Sequence, residues 1–155
     1  MLEIAAKKIA LLSKGGNIRL IHADASQLPF HDSYFDCVCI SFAFRNLVYR
    51  NPMAQNYLSE ILRVLKPHGK LIIVESSQPR SALIRYFHHL YLRCFVFPIG
   101  YVISHNKSAY HYLMESALHF FSAEEAQQFL MKVGFREATQ QRLFLGAAAI
   151  YTATR

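Results

Sequence analysis

Residues 35–44 read Phe-Asp-Cys-Val-Cys-Ile-Ser-Phe-Ala-Phe, and residues 71–74 read Leu-Ile-Ile-Val. Both are nearly continuous apolar runs rich in β-branched and aromatic side chains. That is the pattern of a strand covered on both faces of a parallel sheet. Between them, Asn51-Pro52 reads as a helix cap followed by proline at the first helical position. Ala54, Tyr57, Leu58, Ile61, Leu62 and Leu65 repeat behind it at helical spacing, and Lys66-Pro67-His68-Gly69 ends that helix. Strand, helix, strand in this order predicts an α/β chain with a mostly parallel sheet.

Outward from this unit, Leu2 to Ser13 reads as an amphipathic helix stopped by Gly15-Gly16, and Ile18 to Ala23 as a strand ending at Asp24. Towards the other end, Ser122 and Glu125 form a capping box. Ala126, Phe129, Leu130 and Val133 make the core stripe before Gly134. Arg136 to Phe144 and Ala147 to Thr154 read as two final strands around Gly146. Residues 81–121 break the rhythm with an aromatic, mainly helical insertion, read either as plain core or as the wall of a lipophilic-substrate site. No repeat, linker or low-complexity stretch divides the chain, so residues 1–155 are read as one domain.

Composition narrows the function classes. The chain is 53% apolar and 17% charged, which excludes a disordered tail. Its net charge of +7 suits an anionic cofactor, a lipid surface or nucleic acid. The basic residues are scattered, however, and no recognition helix or RNA-binding signature is present, so nucleic acid is set aside. Three cysteines cannot build a disulfide framework and point to a reducing, cytoplasmic compartment. Cys37 and Cys39 read as small buried hydrophobes on one strand face. The greasiest window, Tyr86 to Ile103, is broken by His88, His89, Arg93, Pro98 and Gly100, so it reads as soluble or interfacial and not as a span. His111, Glu115 and His119 share a helix face, but the outer pair stands about 12 Å apart by helix rise, too far to share one ion. No metal is expected.

Ligands of open α/β sheets bind beyond the carboxyl ends of the strands. Here those ends are Asp24-Ala25, Ser41 to Asn46, and Glu75 to Gln78, each polar after an apolar run. Together they predict a binding crevice.

These residues carry a resemblance. Asp24-Ala25 with Leu28-Pro29-Phe30, Phe35-Asp36, and Arg63-Val64-Leu65-Lys66-Pro67 with Gly69 resemble class I S-adenosylmethionine-dependent methyltransferases. Ser41-Phe42-Ala43-Phe44-Arg45-Asn46 and Ala109-Tyr110-His111-Tyr112-Leu113-Met114-Glu115-Ser116 resemble stretches of the UbiE/MenG family of quinone C-methyltransferases. The resemblance implies a Rossmann-like sheet whose last strand is antiparallel, and methylation of a quinol ring in menaquinone or ubiquinone biosynthesis. It implies Asp24 and Ala25 at the adenine of the cofactor and Ser41 at its methionine part. Arg45, Asn46 and Tyr110 would stand at the reacting edge, with Phe44 and Tyr112 against the substrate. Read without the family, Arg45 is a surface arginine paired with a carboxylate.

The chain departs from the family at the front. None of its six glycines forms a Gly-x-Gly loop, and the acidic residue that would hold the ribose is missing. Met1-Leu2 resembles the Met-Leu opening the helix after the family's second strand, so the chain is read as lacking about the first third of the domain, with weak or no binding of S-adenosylmethionine on its own. His68 stands where the family usually has glycine. The strand containing Cys37 would then be an exposed edge, inviting a second copy or an amino-terminal partner chain. The alternative to an enzyme is a non-catalytic module that acts by such edge pairing.

Overall fold

The computed structural model describes residues 2–11 and 17–155. In chain order its elements are α1 (Leu2–Ala10), β1 (Phe35–Ser41), α2 (Phe44–Val48), α3 (Ala54–Val64), β2 (Leu65–Ser76), α4 (Ala82–Tyr91), a π-helical turn (Leu92–Val96), α5 (Phe97–Ser104), α6 (Lys107–Leu118), α7 (Ala123–Val133), β3 (Glu137–Leu143) and β4 (Ala148–Thr154). The strands form one sheet in the order β1-β2-β4-β3. β2 lies parallel to β1, while β4 is antiparallel to both β2 and β3. Three strands therefore run one way and the last runs against them, as the resemblance implied; one of the three pairings is parallel and two are antiparallel.

The core forms between one face of this sheet and the helices α2, α3 and α7. Leu71 and Ile73 of β2 and Tyr151 of β4 meet Phe44, Leu58, Ile61, Ala126 and Leu130, all buried. The alternation along β2 puts every second residue into this layer. At α7 the capping box forms as expected, with Ser122 accepting from the Glu125 N–H and Glu125 accepting from Ser122. A smaller apolar cluster holds the insertion together, with Leu92 and Val96 against Met114, Ala117 and Leu118. Gln78 ties this unit to the sheet edge. Its Nε2 donates to the Ala117 carbonyl at 2.7 Å, and its Oε1 lies 2.9 Å from His89 Nε2.

Several expectations are corrected. Residues 18–23 form no strand; Ile18, Leu20 and Ile21 are exposed. A single strand has nothing to satisfy its ladder of N–H and C=O groups. β1 is covered on one face only. Val38 and Ile40 pack on the core, while Cys37 and Cys39 are exposed on the other face with sulfurs 3.7 Å apart. Asn51-Pro52 does not start α3 directly. Asn51 Oδ1 accepts from the Met53 N–H in a preceding turn, and the helix begins at Ala54. Gly15-Gly16, expected to stop α1, lie outside the described residues.

The two superfamily stretches turn out to be a structural bracket. Arg63 reaches Glu60, Asp32 at 2.6 Å and the Leu28 carbonyl, while Lys66 pairs with Asp36 at 2.8 Å. Ser33 and Tyr34 donate backbone hydrogen bonds to Arg63 and Val64. Residues 66–69 loop out of the ladder, so that Phe35 faces Leu65 but Cys37 faces Lys70. His68 sits there at φ 64°, the left-handed region a glycine adopts without strain.

Candidate active site

β1 ends at Ser41, and the chain then turns sharply. Phe42 takes φ 49° and its N–H donates to the Val74 carbonyl at 2.8 Å. This turn throws Phe44 inward and opens α2. Phe44 is fully buried, edge-on to Phe120 with ring centroids 6.1 Å apart. It is a core residue. Phe42, 60% exposed, lines the adjoining cavity, and Phe44 does not.

Arg45 follows directly and is buried, not a surface arginine. Its backbone N–H donates to Glu75 Oε2 at 3.0 Å. Its Nη1 lies 3.4 Å from Glu75 Oε1 and donates to Ser76 Oγ at 2.8 Å. Glu75, at the carboxyl end of β2, has no solvent exposure. Its Oε1 also accepts from the Ser76 N–H and hydroxyl. The carboxylate thus fixes both the start of α2 and the guanidinium of Arg45. Arg45 Nε is buried with no hydrogen-bond partner. The sequence marked Glu75 to Gln78 as a polar strand end but gave Glu75 no role. Its signal was a carboxylate interrupting an otherwise apolar strand.

A cavity of about 480 Å³ opens at this end of β1, lined by Phe42, Arg45, Asn46, Ala109, Tyr110, Tyr112 and Leu113. That volume falls within the usual range for small-molecule sites. The cavity unites two segments that lie far apart in sequence, and Arg45, Asn46, Tyr110 and Tyr112 stand in it together as expected. The ring of Tyr110 lies over Gly100, where a Cβ would come within 1.9 Å of its Cε1. Tyr112 meets Tyr49 edge-on at 6.3 Å.

Asp24, Ala25 and Ser41 do not line this cavity. Asp24 sits in an exposed turn, where Oδ1 accepts from the Ser26 N–H at 2.8 Å and its hydroxyl at 2.7 Å. The Ser26 backbone donor, followed by its hydroxyl, holds the Asp24 carboxyl below the usual carboxylate range. It is therefore ionised at neutral pH, and its recorded bonds leave Oδ2 to accept from an amino group. Ser41 is exposed at the strand end. These residues fit the adenine edge and one polar contact of S-adenosylmethionine. Among the described residues, no group of three or more His, Cys, Asp or Glu is placed to hold a metal ion. His119 Nδ1 is engaged locally, donating to the Glu115 carbonyl oxygen 2.9 Å away.

Comparison with known proteins places this geometry. The ubiquinone/menaquinone biosynthesis C-methyltransferase UbiE of Pseudomonas fluorescens is 32% identical over 97% of this chain and 57% of its own length. The same-named protein of Geotalea daltonii is 36% identical over 98% of the chain and 63% of its length. The demethylmenaquinone methyltransferase of Clavibacter sepedonicus is 36% identical over 97% and 59%. The chain thus spans about three fifths of the length of these relatives. Among solved structures, a SAM-dependent methyltransferase from Thermotoga maritima matches 99% of the chain and 68% of its own, with 20% identity and a TM-score of 0.61. One from Aquifex aeolicus matches 98% and 60%, with 15% identity and a TM-score of 0.58. The folds agree with a class I methyltransferase, and the family profile takes in residues 1–155 without a break: the chain belongs to the ubiE/COQ5 methyltransferase family.

Proposed function

We propose that this chain serves S-adenosylmethionine-dependent methylation of a ring carbon in a lipophilic quinol of the ubiquinone or menaquinone type. The observation that carries the reading is the cavity at the carboxyl end of β1, in which Arg45 and Asn46 face Tyr110 and Tyr112. The names of the UbiE relatives support the substrate class. When bound, S-adenosylmethionine supplies an electrophilic methyl group. Asp24 and Ala25 would hold its adenine and Ser41 its methionine part.

The chain's own contribution is to orient the quinol and to favour its anion. A ring carbon becomes nucleophilic when the neighbouring hydroxyl loses its proton. Glu75 and Ser76 occupy Nη1 of Arg45 and Nε is sealed from the cavity, which leaves Nη2 to donate to that oxygen as charge develops. Glu75 tempers the cation, so Arg45 acts as a directed donor more than as a free charge. Asn46 offers a second polar contact, and Phe42, Tyr110 and Tyr112 offer faces for a flat ring.

β1 pairs with β2 alone among the described strands. That bare edge supports self-association or pairing with an amino-terminal partner chain. It is also the one observation favouring a module that acts by edge pairing. The deciding assay is transfer of a labelled methyl group to a demethylated quinol, by the chain alone and joined to an amino-terminal partner segment, with cofactor affinity followed by calorimetry. Arg45→Lys keeps the charge but loses the guanidinium fork and its Nη2 donor. Turnover should fall on the order of a hundredfold, with cofactor affinity unchanged. No transfer by either form would leave the edge-pairing module standing; equal turnover in Arg45→Lys would remove Nη2 from the mechanism.

A further inference from the structure

From Ser76 to Met114 the sequence carries no aspartate or glutamate, yet it contains Arg80, Arg85, Arg93 and Lys107. The same stretch holds an unbroken helical run, residues 82–104, in which the π turn joins α4 to α5. The run is about 35 Å long at 1.5 Å per residue. It is capped at its start by Ser81, which accepts from the Ile84 N–H, and stopped by His105 at φ 55°.

One side of this run is accounted for: Leu92 and Val96 pack on α6. The opposite side is equally apolar and faces solvent. Leu83, Tyr86, Phe87 and Leu90 fall at i, i+3, i+4 and i+7, and all are exposed. Beyond the π turn the stripe continues at Phe95, Ile99, Val102 and Ile103, the last 76% exposed. A helix apolar on both sides is covered on both sides in its working state. Basic side chains flank the stripe. Arg85 and Arg93 lie in the row beside Tyr86 and Leu90, and they and Lys107 pair with no carboxylate among the described residues.

A second, independent feature adjoins the start of the run. The tip of the β3–β4 hairpin presents Phe144 and Leu145, 82% and 79% exposed, at φ 48° and 57°. Gly146 beside them lies against Pro79, with a Cβ there only 3.2 Å from the Pro79 Cα. Left-handed backbone is unfavourable at two large apolar residues, and both side chains are left in solvent.

We propose that the outer face of residues 82–104, continued by the Phe144–Leu145 tip, docks on an anionic lipid bilayer. Among the described residues no helix is long and apolar enough to cross a membrane, so the run would lie in the interface plane. Aliphatic and aromatic side chains enter the acyl boundary, and the arginine and lysine stems reach up to headgroup phosphates. The absence of any carboxylate in the stretch removes the repulsion that would oppose such contact. The docking stands apart from methyl transfer. If both hold, it would bring the cavity wall at Tyr110 and Tyr112 to the phase in which a lipophilic quinol dissolves.

The test is co-sedimentation of the chain with vesicles of phosphatidylcholine alone and of phosphatidylcholine with phosphatidylglycerol. The chain should partition to the anionic vesicles, and less so as salt rises. Arg85→Glu with Arg93→Glu should lower that partitioning at least about tenfold. Phe87→Ser with Leu90→Ser and Ile103→Ser should lower it at least tenfold too, because each loses a fully inserted side chain. These positions are exposed, so far-UV circular dichroism should be unchanged; the charge variant decides the matter if the serine variant fails to fold. Equal binding to both vesicle types, no binding, or variants that bind like the parent would overturn the proposal. So would self-association that the serine variant abolishes, which would make a second copy the occupant.

Discussion

Replacing Glu75 by glutamine should destabilise the chain by about 3–5 kcal/mol, the range for breaking a buried ion pair by removing one partner. Glu75 is wholly buried and Arg45 is 7% exposed, so solvent cannot take over either charge. Glu75 accepts from the Arg45 N–H and Nη1 and from the Ser76 N–H and hydroxyl. In the glutamine variant one oxygen becomes an NH2 that faces these donors, and the guanidinium is left without its counter-ion. Against a whole-domain stability of about 5–15 kcal/mol, this is a large share. With a slope of about 1–3 kcal/mol per molar urea, the unfolding midpoint should drop by about 2 M, read by far-UV circular dichroism. Arg45→Met should cost a similar amount. The double variant Arg45→Met, Glu75→Leu should lose much less than the sum, because replacing both charges leaves none uncompensated. A Glu75→Gln midpoint within about 0.3 M of the parent would refute the reasoning, and so would additive losses in the double variant.

Gly100→Ala places a methyl group on the Tyr110 ring; the ring must swing away, costing about 1–3 kcal/mol, and under the proposed methyl transfer this raises the KM for a quinol more than it lowers kcat. His68→Gly should stabilise the chain by up to about 1 kcal/mol in the same urea titration, since glycine relieves the left-handed backbone. The Glu124 carboxyl is pulled down to about 2 by its hydrogen bond from Arg142, with Arg80 adding to it. Its unfolded value is about 4.3, so the pair contributes stability above that pH and loses it as pH falls towards about 2. The glutamate is 36% exposed, so solvent screening keeps the effect small. Acid titration of Glu124→Gln should lack this part of the drop, and added salt should shrink it in the parent.

Much of the fold was legible because it is written in local periodicity. The apolar runs at Phe35 and Leu71, the helical spacing from Ala54, the Ser122–Glu125 box and the two final strands each declare themselves within a few residues. What failed was coverage. Residues 18–23 alternate like a strand and Cys37 reads as buried, but pairing and burial depend on neighbours, and the described residues supply none there. The site was half legible. Arg45, Asn46, Tyr110 and Tyr112 were marked by family stretches, while Phe42 and not Phe44 lines the cavity, because the left-handed turn at Phe42 leaves no sequence signal.

The sequence by itself determined the α/β class, most of the elements in their chain order, the family, and the two segments that make the cavity, because hydrophobic period and motif residues are properties of the chain. Only the tertiary structure decided that Arg45 is buried against Glu75, that its Nε is left without a partner, and that the helical run at 82–104 is apolar on the side that no described residue covers. Those are facts about which surfaces meet across distant segments. No window of sequence contains both partners, so no local pattern can record whether burial is met by a counter-ion, by a packed side chain or by nothing.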